Sequence, residues 1–299
     1  MSAQDGAPGA DQKPAAFYRA ALRSLNESGA DYLVGGAFAM ARLTGIAART
    51  KDLDLFVRRR DRTRVVLRVL AAAGCRTSTP YPHWLAKAEH PAGLIDVIFD
   101  SGNAQLPVDD EWFTHALPAR VLGVRVRLAP VEEMLCSKAF IMERERFDGA
   151  DVIHLLRAAA DRLDWQRLLR RFGAHWPVLL SHLILFSYAY PGERHRVPDA
   201  VVEELVQRWR DIPPATGRER KLCRGGMLSR AQYLAALADW GYQDARRPPY
   251  GNMSGQDLRT WTEAAAQAAP PQRQGQGTPT QLTTGASPRR RDTGARGVN

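Results

Sequence analysis

The chain has 299 residues, of which 44% are hydrophobic and 25% are charged, which is the composition of an ordinary globular protein. Its formal net charge of +10 suits phosphate-rich ligands, but 37 of the 42 basic residues are arginines, a skew that a GC-rich genome produces through codon usage alone. The three cysteines are far apart and include no Cys-x-x-Cys pair, which argues against a disulfide scaffold and a structural zinc site.

The two ends of the sequence differ in composition from the rest of the chain. Residues 1–13 are small and polar, without the basic and apolar regions of a signal peptide, and we expect them to be disordered. Residues 251–299 are predicted to form a mostly disordered basic tail, because almost no large apolar side chain follows residue 268. The longest apolar stretch, residues 176–190, is interrupted by polar residues and is shorter than the roughly 20 residues that span a membrane. We therefore expect a cytoplasmic protein with no membrane partner.

Helix and strand patterns alternate over the first half of the chain. The spacing of apolar residues predicts helices over 15–28, 37–43 and 61–73 and strands over 31–34, 52–57 and 121–128. A turn at Pro91-Ala92-Gly93 joins the stretches 84–89 and 94–99, which predicts a hairpin. From residue 130 the pattern is helical almost throughout, with helices predicted over 131–144, 150–160, 165–172, 178–188 and 199–209.

These patterns predict an α+β fold. We expect a small mixed β-sheet core with flanking helices, residues 14–129, followed by an all-helical C-terminal half, residues 130–250.

Gly35-Gly36 ends an apolar strand and opens a helix. Because glycine has no side chain to obstruct a ligand, the backbone N–H groups at this helix N-terminus can face an anion. A plain strand-to-helix turn is the alternative interpretation of the two glycines on their own.

Aspartates interrupt two apolar strands. Asp52 and Asp54 alternate with apolar residues, so their carboxylates share one face, about 7 Å apart at Cα. That spacing suits a pair of Mg²⁺ ions about 3.5–4 Å apart. Asp96 lies in the middle of the almost wholly apolar strand 94–99 and is the candidate third ligand. Taken singly, the first two acids could belong to a solvated edge strand, and Asp96 could pair with an arginine such as Arg49.

The ordered set of Gly-Gly, a spacer, Asp-x-Asp and a later strand Asp resembles the nucleotidyltransferase superfamily typified by DNA polymerase β. The run Arg49-Thr50-Lys51-Asp52-Leu53-Asp54 is similar to that of the toxin-type nucleotidyltransferases of abortive-infection systems and their uncharacterised relatives. The resemblance covers residues 15–155, and the fifteen residues between Gly36 and Asp52 are a longer spacer than many members show.

The resemblance implies a Mg²⁺-dependent transferase that moves a nucleoside monophosphate from an NTP to an acceptor hydroxyl. Two Mg²⁺ ions would be held by Asp52, Asp54 and Asp96. Asp96 would also help to deprotonate the acceptor. The NTP would be bound by Gly35, Gly36, Arg49 and Lys51.

The resemblance also implies a lysine and an aspartate on the helices after the sheet. The matching positions are Lys138, as a catalytic residue, and Asp148 or Asp151, as nucleotide-binding residues. The residue pattern supports Lys138 independently, since it falls within the apolar stripe of Val131, Met134, Leu135, Ile141 and Met142. The alternatives are that the lysine reaches solvent and that the two acids only cap a helix.

Two rival functions come from other classes of protein. One is a non-catalytic nucleotide- or partner-binding module that keeps the fold, and the other is an arginine-rich RNA-binding protein. The intact set of three acids favours the enzyme. The acceptor is open between tRNA, a protein and a small molecule such as an aminoglycoside, and the toxin-type resemblance implies an antitoxin-like partner.

Overall fold

The computed structural model describes residues 12–47, 50–59, 61–101 and 106–268. These residues form a seven-stranded mixed sheet, two short two-stranded sheets and a set of flanking helices, which confirms the predicted α+β class. The predictions for residues 1–11 and 269–299, and for Arg49, lie outside the described residues. None of the described helices is both long enough and apolar enough to cross a membrane.

Strands of the large sheet lie in the order β3-β4-β5-β2-β1-β9-β8. They are β1 (Leu33–Val34), β2 (Asp52–Phe56), β3 (Arg76–Tyr81), β4 (Leu85–His90), β5 (Gly93–Ile98), β8 (Leu117–Val121) and β9 (Val124–Leu128). The two short sheets pair β6 (Asp100–Ser101) with β7 (Leu106–Pro107), and β10 (Leu222–Cys223) with β11 (Gln243–Asp244).

Helices precede, interrupt and follow the sheet. α1 (Gln12–Glu27) precedes the first strand, and those among the strands are α2 (Gly36–Thr44), α3 (Asp61–Ala72) and α4 (Asp110–Thr114). Those after it are α5 (Val131–Ala139), α6 (Gly149–Ala159), α7 (Trp165–Phe172), α8 (Trp176–Ala189), α9 (Asp199–Arg210), α10 (Leu234–Ala238) and α11 (Gly255–Ala268).

The register of the central strands separates polar from apolar side chains. β2 pairs with β5 in parallel, so that Leu53 lies opposite Ile95 and Leu55 opposite Val97. All four of these side chains are fully buried. Because side chains alternate along a strand, the intervening aspartates lie on the other face. One face of the sheet therefore belongs to the core, and the other carries the acids.

Glycines set the limits of α2, which links this sheet to the site. Gly45 ends the helix in the left-handed conformation, with φ of 75°, and its N–H donates to Ala41 O. A residue with a side chain adopts this conformation at a cost, so glycine is the usual stop. The predicted helix 37–43 is thus present, extended by one residue at each end.

The helix predicted over 131–144 is too long, since α5 ends at Ala139. The chain then turns, and the N–H of Met142 donates to Leu228 O at 3.0 Å. Glu143 accepts hydrogen bonds from the backbone and side chain of Arg230. Contacts distant in sequence thus hold these residues outside the helix, and Ile141 and Met142 do not share an apolar stripe with Lys138.

Two strand predictions also differ from the structure. The single strand expected over 121–128 is instead the hairpin β8–β9, which turns at Leu122-Gly123 with φ of 50° and 79°. Positive φ at both positions is what a two-residue hairpin turn requires. β3 was not expected at all, because Arg76–Tyr81 is a mostly exposed edge strand without an apolar alternation.

The described residues belong to one compact unit that ends at Ala268. Buried charges help to join its later helices: Glu132 and Glu133 of α5 both form ion pairs with Arg167 of α7, and all three side chains are buried. The segment 251–268, which we assigned to the tail, contains α11. The domain boundaries at 129/130 and 250/251 remain predictions.

Candidate active site

Asp54 lies at the centre of a group of three carboxylates. It is directly opposite Asp96 in the β2–β5 pair, and Asp52 precedes it by two residues on the same face. Burial, and then repulsion from Asp52 and Asp96, raises the pKa of Asp54 to about 7, against the opposing attraction of Lys138 and Arg146. A carboxylate at such a position carries its charge at a cost that a cation would relieve.

The other two carboxylates each have a neighbour that fixes them. The Thr50 hydroxyl donates to Oδ1 of Asp52 at 2.6 Å. Lys87, directly opposite Asp96 on β4, donates from Nζ to Asp96 Oδ1 at 2.9 Å. Burial nevertheless raises the pKa of Asp96, since the attraction of Lys87 offsets only part of the desolvation.

Gly35 and Gly36 bring the N-terminus of α2 against the carboxylates. The N–H of Gly35 donates to Asp54 O at 2.9 Å. A Cβ on Gly35 would lie 2.0 Å from the Phe56 ring, and one on Gly36, where φ is 51°, would lie 1.6 Å from Asp54 Oδ2. Only glycine allows this approach. The first N–H groups of a helix have no partner within the helix, so the site presents donors beside the acids.

Lys138 and Arg146 form the basic side of the site. Nζ of Lys138 lies 2.8 Å from both Asp148 Oδ2 and Asp151 Oδ2. Arg146 donates two hydrogen bonds to Asp148, each 2.8 Å long. Both basic groups lie close enough to Asp54 to lower its pKa.

Ion pairing, and not capping, is what the carboxylate of Asp148 contributes. Asp148 is the N-cap residue of α6, yet its side chain makes no capping hydrogen bond. Lys138 and Arg146 hold the pKa of Asp148 below its usual range despite burial. Asp148 and Asp151 in turn raise the pKa of Lys138 despite its burial, so this lysine remains charged.

Four residues that contact the site or lie beside it are not among the predicted site residues: Arg146, Lys87, Thr50 and Tyr18. Arg146 lies between the helices predicted over 131–144 and 150–160, where the residue pattern indicates no partner for it. Lys87 lies between two alanines in β4. This alternation predicts which face of the sheet carries the lysine, but not which residue it contacts. The Tyr18 hydroxyl donates to Lys51 O at 2.8 Å, and the three aspartates add to the effect of burial in raising the Tyr18 pKa.

Two residues of the predicted nucleotide-binding set are not placed against the carboxylates. Arg49 lies outside the described residues, and the side chain of Lys51 is exposed. The contact that the structure gives for Lys51 is made by its backbone carbonyl, to Tyr18. Their roles as ligands for the NTP remain predictions.

The chemistry of the donor set fits a hard divalent cation. Within the described ranges, no group of three His, Cys, Asp or Glu side chains already converges as a metal site. Three carboxylates on adjacent strands nevertheless offer the oxygen ligands that Mg²⁺ prefers. Burial first, and then repulsion from Asp52 and Asp96, raise the pKa of Asp54, and a bound cation would offset both effects. The residues present therefore fit Mg²⁺, which would draw them together on binding.

Several solved structures are similar to parts of this chain at low sequence identity. The antibiotic-resistance factor ANT(2'')-Ia is 15% identical over 62% of this chain and 97% of its own, with a TM-score of 0.39. The lincosamide antibiotic adenylyltransferase LnuA, with lincomycin bound, is 16% identical over 50% of this chain and 99% of its own, with a TM-score of 0.36. An antigenic nucleotidyltransferase-like protein from Paracoccidioides brasiliensis is 15% identical over 64% of this chain and 98% of its own, with a TM-score of 0.40.

At the level of sequence, neither a protein-family model nor a curated protein matches this chain. Identities and TM-scores as low as those above leave the metal, the nucleotide and the acceptor to be inferred from the chain's own residues.

Proposed function

We propose that the chain is a nucleotidyltransferase that transfers a nucleoside monophosphate from an NTP to an acceptor hydroxyl. The observation that carries the proposal is the register of β2 and β5, which sets Asp54 opposite Asp96, with Asp52 on the same face. A stable sheet gains nothing from three such carboxylates, whereas a phosphoryl-transfer site needs them.

Asp52, Asp54 and Asp96 would hold two Mg²⁺ ions. When bound, such a pair of ions stabilises both the attacking and the leaving oxygen of a phosphoryl displacement. Thr50 orients one carboxylate through its hydroxyl. Asp96 would also help to accept the proton of the acceptor hydroxyl, the role that the family resemblance implies for this third acid.

The polyphosphate would bind between the N-terminus of α2 and the basic side of the site. Gly35 and Gly36 keep the helix N–H groups accessible. Lys138 and Arg146, already close to Asp54, would stabilise the charge that develops on the phosphoryl oxygens. In the structure both bond to Asp148, so binding of a nucleotide would draw one of them, the more exposed Arg146, towards the phosphates.

A non-catalytic nucleotide-binding module is the second candidate. It is favoured by the pairing of Lys138 with both Asp148 and Asp151, which leaves this lysine neutralised before any nucleotide arrives. Such a module would bind an NTP in the presence of Mg²⁺ without turnover. Calorimetry with each NTP, in parallel with a turnover assay, separates the two functions.

The enzyme is tested by labelling. The protein is incubated with Mg²⁺, each radiolabelled NTP in turn and a total cell extract, and the fraction that becomes labelled identifies the acceptor as tRNA, protein or small molecule. The matched control is Asp54→Asn. Labelling that is equal with this variant, or absent with every NTP, would contradict the proposal.

The finer relationship to toxin-type members is part of the same proposal. A toxin would arrest growth when it is expressed alone, and an antitoxin-like partner would relieve the arrest. Growth arrest that Asp54→Asn abolishes is the expected result, and normal growth with the active wild-type protein would contradict this assignment.

A further inference from the structure

A groove of about 410 Å³ lies along strand β8, which forms one edge of the large sheet, whereas β3 forms the other edge. Its floor is apolar and includes Leu43, Ala119 and Leu128. Three arginines from separate elements line it: Arg42 of α2, Arg120 of β8 and Arg162 of the 3-10 turn after α6. We refer to it as the edge groove.

The arginines of the edge groove have no acidic partner among the described residues. All three side chains are exposed, and no acid of the described ranges lines the groove. Within the described part of the chain, neither Arg42 nor Arg162 forms an ion pair, and Arg120 donates only to a backbone carbonyl, that of Gly123, at 3.1 Å. The acid next to Arg162 in sequence, Asp161, is already paired with Arg196.

Three guanidinium groups around one depression repel one another unless an anion lies between them. A guanidinium group binds phosphate through two parallel hydrogen bonds, which makes arginine the residue of choice for phosphate recognition. The apolar floor offers a surface for a sugar or a base. A polycationic acceptor, such as an aminoglycoside, would meet like charge here and gain nothing.

The edge groove is also close to the candidate active site. Helix α2 begins at Gly36, beside Asp54, and carries Arg42 six residues later. At about 1.5 Å per residue these two positions are roughly 9 Å apart along the helix. Leu128 on the floor pairs with Val34, the residue before Gly35. Helix α2 thus connects the edge groove with the candidate active site.

We propose that the edge groove binds the phosphodiester backbone of a nucleic-acid strand and that this strand presents the acceptor hydroxyl. That the strand presents the acceptor hydroxyl rests on the proposed transfer function. That the groove binds the strand does not depend on it. Backbone phosphates would contact Arg42, Arg120 and Arg162, and the terminal nucleotide would extend along α2 towards Asp54.

Binding is measured by fluorescence anisotropy with a labelled single-stranded oligoribonucleotide, the same sequence as DNA, and polyglutamate as an anionic protein mimic. The test variant is Arg42→Gln/Arg120→Gln/Arg162→Gln. The matched control is Arg23→Gln/Arg64→Gln/Arg68→Gln, which removes the same charge from exposed arginines of α1 and α3. Thermal melts verify that both remain folded, and the single variants serve if the triple one does not.

The test variant is expected to bind the oligonucleotide at least about tenfold more weakly near 0.1 M salt. Its slope of log K against log salt should be smaller by about 2, since each lost phosphate contact on a single strand accounts for about 0.7. The control should bind as wild type. Equal binding by both triple variants, or displacement of the strand by polyglutamate at equal charge concentration, would overturn the proposal.

Asp54→Asn distinguishes this inference from the proposed function. It should bind the oligonucleotide at least as tightly as wild type, while transferring no nucleotide. If wild type binds the strand through the groove but labels no acceptor under any condition, the transfer function fails and the groove stands. If transfer proceeds on an extract treated with ribonuclease and deoxyribonuclease, the assignment of the acceptor strand fails and the enzyme stands.

Discussion

Asp54 and Asp96 occupy directly paired positions on the neighbouring parallel strands β2 and β5. Like charges at adjacent positions of a sheet repel each other, and here Asp52 adds to the repulsion. Lys87 donates a hydrogen bond to Asp96 and so compensates part of its charge. Lys138 and Arg146, on the basic side of the site, lower the pKa of Asp54. Burial and repulsion outweigh these basic groups at Asp54, and its pKa is therefore raised to about 7.

Asp54→Asn is expected to abolish transfer and to stabilise the apoprotein. At pH 8 in EDTA, Asp54 is ionised above its raised pKa of about 7, and the amide removes that unfavourable charge. The melting temperature should hold or rise. Mg²⁺ should stabilise wild type, because a ligand that binds only the folded state raises its stability, and should stabilise the variant much less. Near-wild-type turnover, or equal stabilisation by Mg²⁺, would exclude the metal-site assignment.

Gly36→Ala tests whether the approach of α2 to Asp54 requires glycine. The added Cβ would lie 1.6 Å from Asp54 Oδ2 at a φ of 51°, so both the helix and the carboxylate must move. Gly45→Ala is the matched control, since Gly45 has a φ of 75° at the other end of the same helix and nothing within 4 Å of the new Cβ.

Each variant should lose about 1–2 kcal/mol of stability through backbone strain alone. Only Gly36→Ala is expected to lose transfer and Mg²⁺-dependent stabilisation as well. Denaturant unfolding measures the first effect, and the labelling assay with melts in Mg²⁺ measures the second. If the two variants retain equal activity, the glycine serves only the turn.

Much of this site was predictable because its acids interrupt apolar strands. Asp54 alternates with buried leucines, Asp96 lies in the middle of an apolar strand, and the predicted hairpin placed Asp96 in a sheet. The sequence could not supply the register that sets them opposite each other, because register depends on pairing between segments about forty residues apart.

Arg146 was missed for a different reason. It lies in the short segment between the helices predicted over 131–144 and 150–160, and the pattern of that segment does not indicate which group an arginine contacts. The helix ends at Ala139 because Leu228 and Arg230, more than eighty residues away, bond to the loop that follows. The helix propensity of a segment does not depend on residues so distant in sequence, so it cannot predict these contacts. The loop that they stabilise brings Arg146 to Asp148.

Asp100 should make folding stability depend on pH near neutrality. Its carboxyl is 1% exposed, and burial raises its pKa to about 7 against the opposing N–H groups of Ser101 and Leu106 and the charge of Arg59. The unfolded chain releases this proton near pH 4. Between about pH 4 and 7 the folded state therefore holds a proton that the unfolded state lacks, and stability falls as the pH rises through this window.

Asp100→Asn removes this pH-dependent contribution to folding stability. Urea unfolding at a series of pH values is expected to give the variant a flatter profile than wild type between about pH 4 and 7. The slope should differ by up to about 1.4 kcal/mol per pH unit, and the two profiles should run parallel above pH 8. Parallel profiles over the whole range would mean that the carboxyl titrates normally.

Lys138→Met separates a catalytic lysine from a structural one. Nζ lies 2.8 Å from both Asp148 and Asp151, so loss of the charge leaves the buried Asp148 with Arg146 as its only described partner. We expect a loss of about 1–3 kcal/mol in stability, because a buried acceptor is left incompletely satisfied. Transfer should fall by about 10²-fold or more if the lysine also stabilises charge on the transferred phosphoryl group.

The variant Lys138→Met/Asp151→Asn distinguishes the two roles. Removing the charge of Asp151 relieves the excess of negative charge that Lys138→Met leaves beside Asp148, so part of the lost stability should return. If Lys138 acts on the phosphates, transfer stays low in this double variant although the fold is restored. If Lys138 only neutralises the two acids, transfer recovers together with stability. Single-turnover rates at saturating NTP, measured beside denaturant unfolding, decide between these outcomes.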